Sequence, residues 1–272
     1  MRSLLLFVSM ALSMVGPATA QDASLRALQT GQDSRGWEAV GRLDLGGRGF
    51  CTGALIAPNL VLTAAHCLFD PTTAERIRAD EVEFLAGWRN GRASAYRRVR
   101  RAVVHPDYIF EDNASAERVS KDIALLELFH PVRNTTVMPF ETDKNPVAGD
   151  QIAVVSYAKD RSEAPSLQEI CNVMARQQGV IVMSCDVDFG SSGAPVFSVK
   201  GDVARIVSVV SAKAVVKGAP VSLGTSLQGP LDMLHDALTS GLGFDPDSPE
   251  EIRRLSSQSG SRATSSAKFV KP

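Results

Sequence analysis

The chain has 272 residues, of which 44% are hydrophobic, so it can bury a sizeable core in one large domain or two smaller ones. Its 29 basic and 30 acidic side chains leave a net charge of −1, which gives no sign of the basic surface that nucleic acid or acidic lipid would attract. Beyond residue 20, no segment is apolar for long enough to span a bilayer as a helix. We therefore expect neither nucleic acid nor a stable membrane anchor.

The first 20 residues have the pattern of an export signal rather than of a fold. Arg2 gives a positive start, residues 4–15 form an apolar core, and residues 18–20 read Ala-Thr-Ala, a small-x-small cleavage pattern. An uncleaved anchor is the alternative, but the apolar run is too short to span a bilayer. We expect a periplasmic or secreted protein whose mature chain begins at Gln21, with an N-terminal segment up to residue 36.

Two sets of short apolar or alternating runs predict β-strands. The first set, in residues 37–135, comprises AVGRLDL, FCTGALIA, LVLTAA, EVEFLAGW, AYRRVRRAVV and DIALLELFHPV. The second, in residues 136–244, comprises QIAVVSYA, GVIVMSCDV, APVFSVKG, VARIVSVVSA and APVSLGTSL. The two sets predict an all-β protein with two barrels or sandwiches. The arginine-rich run 97–101 is expected on the solvent side of its strand.

The C-terminal part of the chain divides into a helix and a tail. Residues 231–242, LDMLHDALTSGL, have the spacing of a helix that docks an apolar stripe. Residues 245–272 are rich in serine, arginine and lysine and contain few hydrophobic side chains. That composition predicts a disordered tail.

The four cysteines are expected to form disulfides, because an exported chain folds in an oxidising compartment. Four cysteines allow three connectivities, and separations of 16 and 14 residues favour the local pairs Cys51–Cys67 and Cys171–Cys185. A metal site is the alternative, but the chain has no Cys-x-x-Cys and its four histidines are scattered. We expect no metal ion and no organic cofactor.

Polar residues lie at abrupt boundaries with apolar strands in three segments of the chain. His66 ends LTAAHC with Cys67, Asp122 opens DIALLEL, and Ser191 and Ser192 stand between glycines in GSSGAP. Alone, each has an ordinary structural explanation: a packed histidine, a strand-start residue and a tight turn. Together they supply a nucleophile, a base and a residue that orients the base. The residues alone leave open which serine is the nucleophile.

The stretches CTGALIAPNLVLTAAHC, VVHPDY, DIALLEL, GSSGAP and RIVSVVS occur in the order found in chymotrypsin-like serine peptidases, and the chain resembles that family over about residues 37–230. Ala194, where most members have glycine, is similar to the bacterial glutamyl endopeptidase branch. The resemblance implies two six-stranded antiparallel β-barrels with the active site between them and a C-terminal helix. It also implies a monomeric serine endopeptidase that cleaves protein or peptide substrates through an acyl-enzyme. The alternative is an inactive homologue that binds a partner.

The family pattern Gly-Asp-Ser-Gly-Gly-Pro aligns with residues 190–195 and so assigns the roles. Ser192 takes the place of the nucleophile, and Ser191 that of the aspartate. The resemblance makes His66 the general base and Asp122 the residue that orients it. The backbone N–H groups of Gly190 and Ser192 would form the oxyanion hole. Both expected disulfides also resemble disulfides of the family.

The specificity pocket is the least determined part of the site. Asp186 lies six residues before Ser192, where trypsin-like enzymes hold the carboxylate that recognises arginine or lysine. Asp188, however, stands where trypsins have a cysteine, so Asp186 could instead cap a turn. Ser208 resembles the serine that supports the aspartate and opens the substrate-pairing strand. Val207 precedes it, where glutamyl endopeptidases use a histidine, which argues against a preference for glutamate.

Overall fold

The computed structural model describes residues 24–111, 114–143, 146–216 and 218–243. The expected signal peptide, the mature start at Gln21 and the expected tail at 245–272 lie outside these ranges. Within them, no helix is both long and apolar enough to cross a membrane.

The first barrel is a closed antiparallel ring of six strands in the order β2-β3-β4-β7-β6-β5. These strands are β2 (Val40–Leu45), β3 (Phe50–Ala57), β4 (Leu60–Thr63), β5 (Val82–Ala86), β6 (Ala95–Val104) and β7 (Ala124–Leu128). Their inward side chains, among them Leu43, Leu55 and Phe84, are fully buried, as alternation along each strand requires. Since β4 pairs with β7 and Thr63 lies opposite Ala124, the end of β4 meets the start of β7.

The second barrel is formed by a seven-stranded sheet of which six strands close on themselves, because β8 pairs with both β9 and β11. The six are β8 (Gln151–Ala158), β9 (Arg161–Gln177), β10 (Val180–Met183), β11 (Pro195–Lys200), β12 (Val203–Val216) and β13 (Ala219–Ser226). A short strand β1 (Arg26–Ala27) from the N-terminal segment pairs with the outer edge of β9. The predicted all-β class with two six-stranded barrels is confirmed; the pairing of β1 was not predicted.

Two helices complete the fold: α1 (Ala116–Lys121), directly before β7, and α2 (Pro230–Thr239), after β13. Helix α2 confirms the expected C-terminal helix, and its buried Leu234 belongs to the same hydrophobic cluster as the core of the first barrel. The arginine-rich run is not uniformly on the solvent side. Arg98 is exposed, but Arg101 is paired with Glu127 and donates to the carbonyl oxygen of Leu238 at the end of α2.

Candidate active site

His66 and Asp122 are brought together by the β4–β7 pairing. His66 lies in the short 3₁₀ turn Ala65–Leu68 that follows β4, and Asp122 ends α1 just before β7. The Asp122 carboxylate is fully buried; its Oδ2 lies 2.7 Å from His66 Nδ1, and its Oδ1 accepts the His66 backbone N–H at 2.9 Å. Because an ionised carboxylate only accepts, the imidazole proton is on Nδ1 and Nε2 is left as the basic nitrogen.

The ionised form of Asp122 is favoured although the group is buried. Burial by itself raises the pKa of Asp122, but the charge of His66 and the hydrogen bonds from His66 and Ser211 outweigh it, so the pKa lies below its ordinary value. Ser211 donates its hydroxyl to Asp122 Oδ2. Arg118 Nη1 lies 3.4 Å from the same oxygen. A full set of donors therefore surrounds the carboxylate.

The serine that contacts Asp122 is Ser211, not Ser208. Ser208 is buried on β12 and donates its hydroxyl to the Thr225 carbonyl oxygen at 2.8 Å. The two serines end the segment SVVS, and the β12–β13 register shifts between Val210 and Ala212, which is where Ser211 lies. Such an irregularity depends on the strand partner, so the sequence motif does not distinguish the two serines. The residue that precedes Ser211 is Val210, which is buried. Like Val207, which precedes Ser208, it is a valine and not the histidine that a preference for glutamate would suggest.

The loop 190–195 needs glycine at two positions. Gly190 and Gly193 have φ of +96° and +77°, in the left-handed region. A Cβ on Gly190 would lie closer than 3.0 Å to the Phe50 ring, and one on Gly193 closer than 3.0 Å to Thr63 Oγ1 and to the Thr52 carbonyl oxygen. The loop is therefore pressed against the first barrel at both glycines.

Ser191 holds this loop from within. It is fully buried, its Oγ lies 3.2 Å from both Ser156 Oγ and the Tyr157 carbonyl oxygen, and it accepts the Asp188 N–H at 3.3 Å. Its backbone N–H donates to the Asp188 carbonyl oxygen at 2.8 Å. The uncharged residue at this position thus fixes the loop through local hydrogen bonds.

Backbone donors alternate along the loop. The N–H groups of Ser191 and Gly193 donate to the carbonyl oxygens of Asp188 and Val210, both at 2.8 Å. The N–H groups of Gly190 and Ser192 have no acceptor in the part of the chain that the structure describes. These two groups are the expected oxyanion-hole pair, and both are available to an external oxygen.

Thr52 on β3 joins the serine loop to the histidine side. Its N–H donates to the Ser192 carbonyl oxygen at 2.8 Å, its hydroxyl donates to the Gly190 carbonyl oxygen at 2.8 Å, and the Tyr157 N–H donates to that hydroxyl at 3.1 Å. The preceding Cys51 is bonded to Cys67, the neighbour of His66. Among the described residues, no hydrogen bond links His66 to Ser192. Nucleophile–base hydrogen bonds are often long before substrate binds.

Both expected disulfides are present, with Cα–Cα distances of 6.2 Å for Cys51–Cys67 and 5.1 Å for Cys171–Cys185. One ring nitrogen of His66 and the two sulfurs of the first pair lie within 4.8 Å of one another. Because these sulfurs are bonded to each other, they are not thiolates that could bind a metal ion.

Asp186 does not occupy a buried position. It is exposed, and its N–H donates to Gln168 Oε1 at 2.8 Å. The turn is capped instead by Asp188, whose Oδ1 accepts the Phe189 N–H at 2.9 Å and lies 3.3 Å from Lys213 Nζ. The Phe189 N–H first, and then Lys213, hold the pKa of Asp188 below its ordinary value. Lys213 was not predicted because nothing in its local sequence points to the loop.

Comparison with known proteins places this architecture in a family. The sequence profile of the trypsin-like peptidase domain matches residues 51–204, which is 154 of the 272 residues. The glutamyl endopeptidase of Bacillus licheniformis is 24% identical over 150 residues, covering 55% of this chain and 45% of the relative. Serine protease 23 of Mus musculus is 30% identical over 167 residues, covering 54% of this chain and 42% of the relative.

A solved structure of Glu endopeptidase in complex with MPD superposes with a TM-score of 0.65 at 17% identity, covering 81% of this chain and 98% of that one. This likeness concerns the fold. The chain spans less than half the length of the two curated relatives above, 45% and 42%. Since the domain profile matches more than half of the chain, the chain belongs to the trypsin-like peptidase family.

Proposed function

We propose that the protein is a serine endopeptidase in which Ser192, His66 and Asp122 form the catalytic triad. The observation that carries the proposal is the buried Asp122–His66 pair beside a loop in which the N–H groups of Gly190 and Ser192 have no acceptor among the described residues. Family membership supports the same reaction.

In the proposed first step, Ser192 Oγ bonds to the carbonyl carbon of the scissile peptide while its proton passes to His66 Nε2. The carbonyl oxygen becomes an oxyanion and accepts the N–H groups of Gly190 and Ser192. Asp122 stabilises the imidazolium and keeps its ring oriented. The C–N bond then breaks, the His66 proton goes to the leaving amine, and an acyl-enzyme remains.

Water completes the reaction by the same route. His66 takes a proton from water, the hydroxyl oxygen bonds to the acyl carbon, and the ester bond to Ser192 Oγ breaks with return of the proton to Ser192. The products are a free carboxylate and the regenerated enzyme. No step needs a metal ion or an organic cofactor.

The alternative, an inactive homologue that binds a partner, has no observation in its favour. Such a protein has no need for a carboxylate buried against a histidine, since burial of the charge is costly unless it is paired. All the groups that the reaction uses are present.

Substrates are proposed to be proteins or peptides of unspecified side-chain preference. A basic preference through Asp186 has little support, because its exposed carboxylate would meet an arginine or lysine in water, where ion pairs are weak. The two disulfides support export to an oxidising compartment, either the periplasm or the exterior, and we propose that the protein acts there as a monomer.

Labelling with a fluorophosphonate probe tests the triad. The wild-type protein and Ser191→Ala should be labelled covalently, and Ser192→Ala should not, with circular dichroism confirming that all three are folded. Failure of the folded wild type to react, or loss of labelling in Ser191→Ala but not in Ser192→Ala, would overturn the assignment.

A further inference from the structure

Arg118 is an additional cation at the buried carboxylate. Its side chain is only 10% exposed, and its Nη1 lies 3.4 Å from Asp122 Oδ2 and 3.3 Å from the Tyr108 hydroxyl. Arg118 and Asp122 are four residues apart on α1 and its C-terminal cap, a separation that places both on one face. The sequence motifs of the triad do not include this arginine.

The surroundings hold this arginine in place. Ser115 caps α1 by accepting the Arg118 N–H at 3.2 Å. At the other end of α1, Thr225 Oγ1 lies 2.6 Å from the Val119 carbonyl oxygen and 3.1 Å from that of Asp122, which ties the helix to β13. Tyr108 is buried. The helix is therefore capped at its N-terminal end and tied to β13 at its C-terminal end, and the guanidinium is confined beside the carboxylate.

The position of the charge matters for the proton that His66 must accept. His66 Nδ1 and Arg118 Nη1 share the same carboxylate oxygen, Oδ2 of Asp122. Among the described residues, the groups that contact this pair include the uncharged phenol of Tyr108 and the Ser211 hydroxyl from β12, and Arg118 has a further interaction besides these. With His66 neutral, the guanidinium is a cation that already contacts the carboxylate. Protonation of His66 would place a second cation on an anion that is already paired.

We propose that Arg118 is a positioning residue that orients Asp122 and offsets its charge, so that the enzyme is active at more acidic pH than a triad without this cation. The inference rests on the proposed peptidase function. The guanidinium remains charged at every accessible pH, so its influence is constant. Removing it should move the acidic limb of the rate profile to higher pH.

The test is the pH profile of kcat/KM, measured with one peptide substrate for the wild type, Arg118→Gln and Arg118→Lys. The control is Arg26→Gln, which removes an exposed arginine that pairs with Glu169. We expect the acidic midpoint to rise by about one pH unit in Arg118→Gln. It should rise by less in Arg118→Lys, whose cation is kept but moved, and should not change in Arg26→Gln.

The outcomes separate the two proposals. If the wild type neither hydrolyses peptides nor reacts with the fluorophosphonate, the proposed function fails. If the wild type is active and the acidic midpoint of folded Arg118→Gln does not move, only the role of Arg118 fails; an equal loss of rate at every pH would show a purely structural role. Should Arg118→Gln not fold, Arg118→Met removes the same charge, and an unmoved midpoint in that variant overturns the inference.

Discussion

The two sides of the cleft differ in how far they are protected from solvent. On the first barrel, Asp122 is 0% exposed and is approached by His66 and Arg118, and also by Ser211 from β12 of the second barrel. On the second barrel, the residues next to the serine loop lie in water: Phe189 is 81% exposed and the Lys213 side chain 54%. Buried charges interact strongly, and exposed ones are screened. We therefore expect substitutions on the buried side to affect proton transfer, and substitutions at the exposed rim to affect substrate binding.

The largest expected effect comes from neutralising the protected side. Asp122→Asn keeps the shape but removes the charge and favours the wrong tautomer of His66. We expect kcat to fall by about 10⁴-fold at neutral pH, the magnitude measured in related triads. The measurement is kcat on an extended peptide, with unchanged circular dichroism as the control. A loss below about tenfold would contradict a proton-transfer role for Asp122.

The next effect tests the contact between the two sides. In Gly193→Ala, the new Cβ would meet Thr63 Oγ1 and the Thr52 carbonyl oxygen at a φ of +77°, so backbone must move. We expect a destabilisation of about 3 kcal/mol together with a loss of activity. The matched control is Gly201→Ala, which has a φ of +61° but no atom within 4 Å of the new Cβ. Equal losses of Tm in the two variants would show that the contact between the sides does not matter.

A smaller effect is expected at the rim. Lys213→Met removes the cation 3.3 Å from Asp188, and because this pair is exposed we expect KM to change by only about two- to threefold, with kcat nearly constant. Lys200→Met is the control, since it removes another exposed cation, 3.7 Å from Asp143. The pKa of Asp188 is lowered by the Phe189 N–H and by Lys213, so the pair persists at neutral pH and is lost as the pH falls through that lowered value. A collapse of kcat in Lys213→Met would remove the distinction between the two sides.

The smallest effect is expected at Asp186. Because this residue is exposed, Asp186→Ala should leave the preference at the cleavage position unchanged and alter kcat/KM by less than about twofold. A positional-scanning peptide library measures this directly. Enrichment of arginine and lysine in the wild type that disappears in the variant would place the carboxylate in the pocket after all.

The sequence predicted those parts of the site that rest on short local motifs. TAAHC and GSSGAP place His66 and the serine pair at sharp turns whose glycines and small residues have few alternatives, and the family resemblance then selects Ser192 as the proposed nucleophile. It did not predict Ser211, because two serines flank a pair of valines and the shift in strand register that selects one of them depends on β13. The sequence also did not predict Arg118, because its contact with Asp122 depends on helix α1, which places the two side chains on one face.

The contacts of Thr52 have a consequence for how the two barrels can diverge. Its three partners in the second barrel are the carbonyl oxygens of Gly190 and Ser192 and the N–H of Tyr157, all of them main-chain atoms. Hydrogen bonds to main-chain atoms do not depend on the identity of the partner's side chains. This contact therefore tolerates side-chain substitutions in the second barrel as long as the backbone keeps its path, whereas Ser211 and Thr225 of the same barrel contact Asp122 and α1 through their side chains. A chimera with another second barrel of this shape should keep the Thr52 contacts, but it also needs hydroxyl side chains at the positions of Ser211 and Thr225.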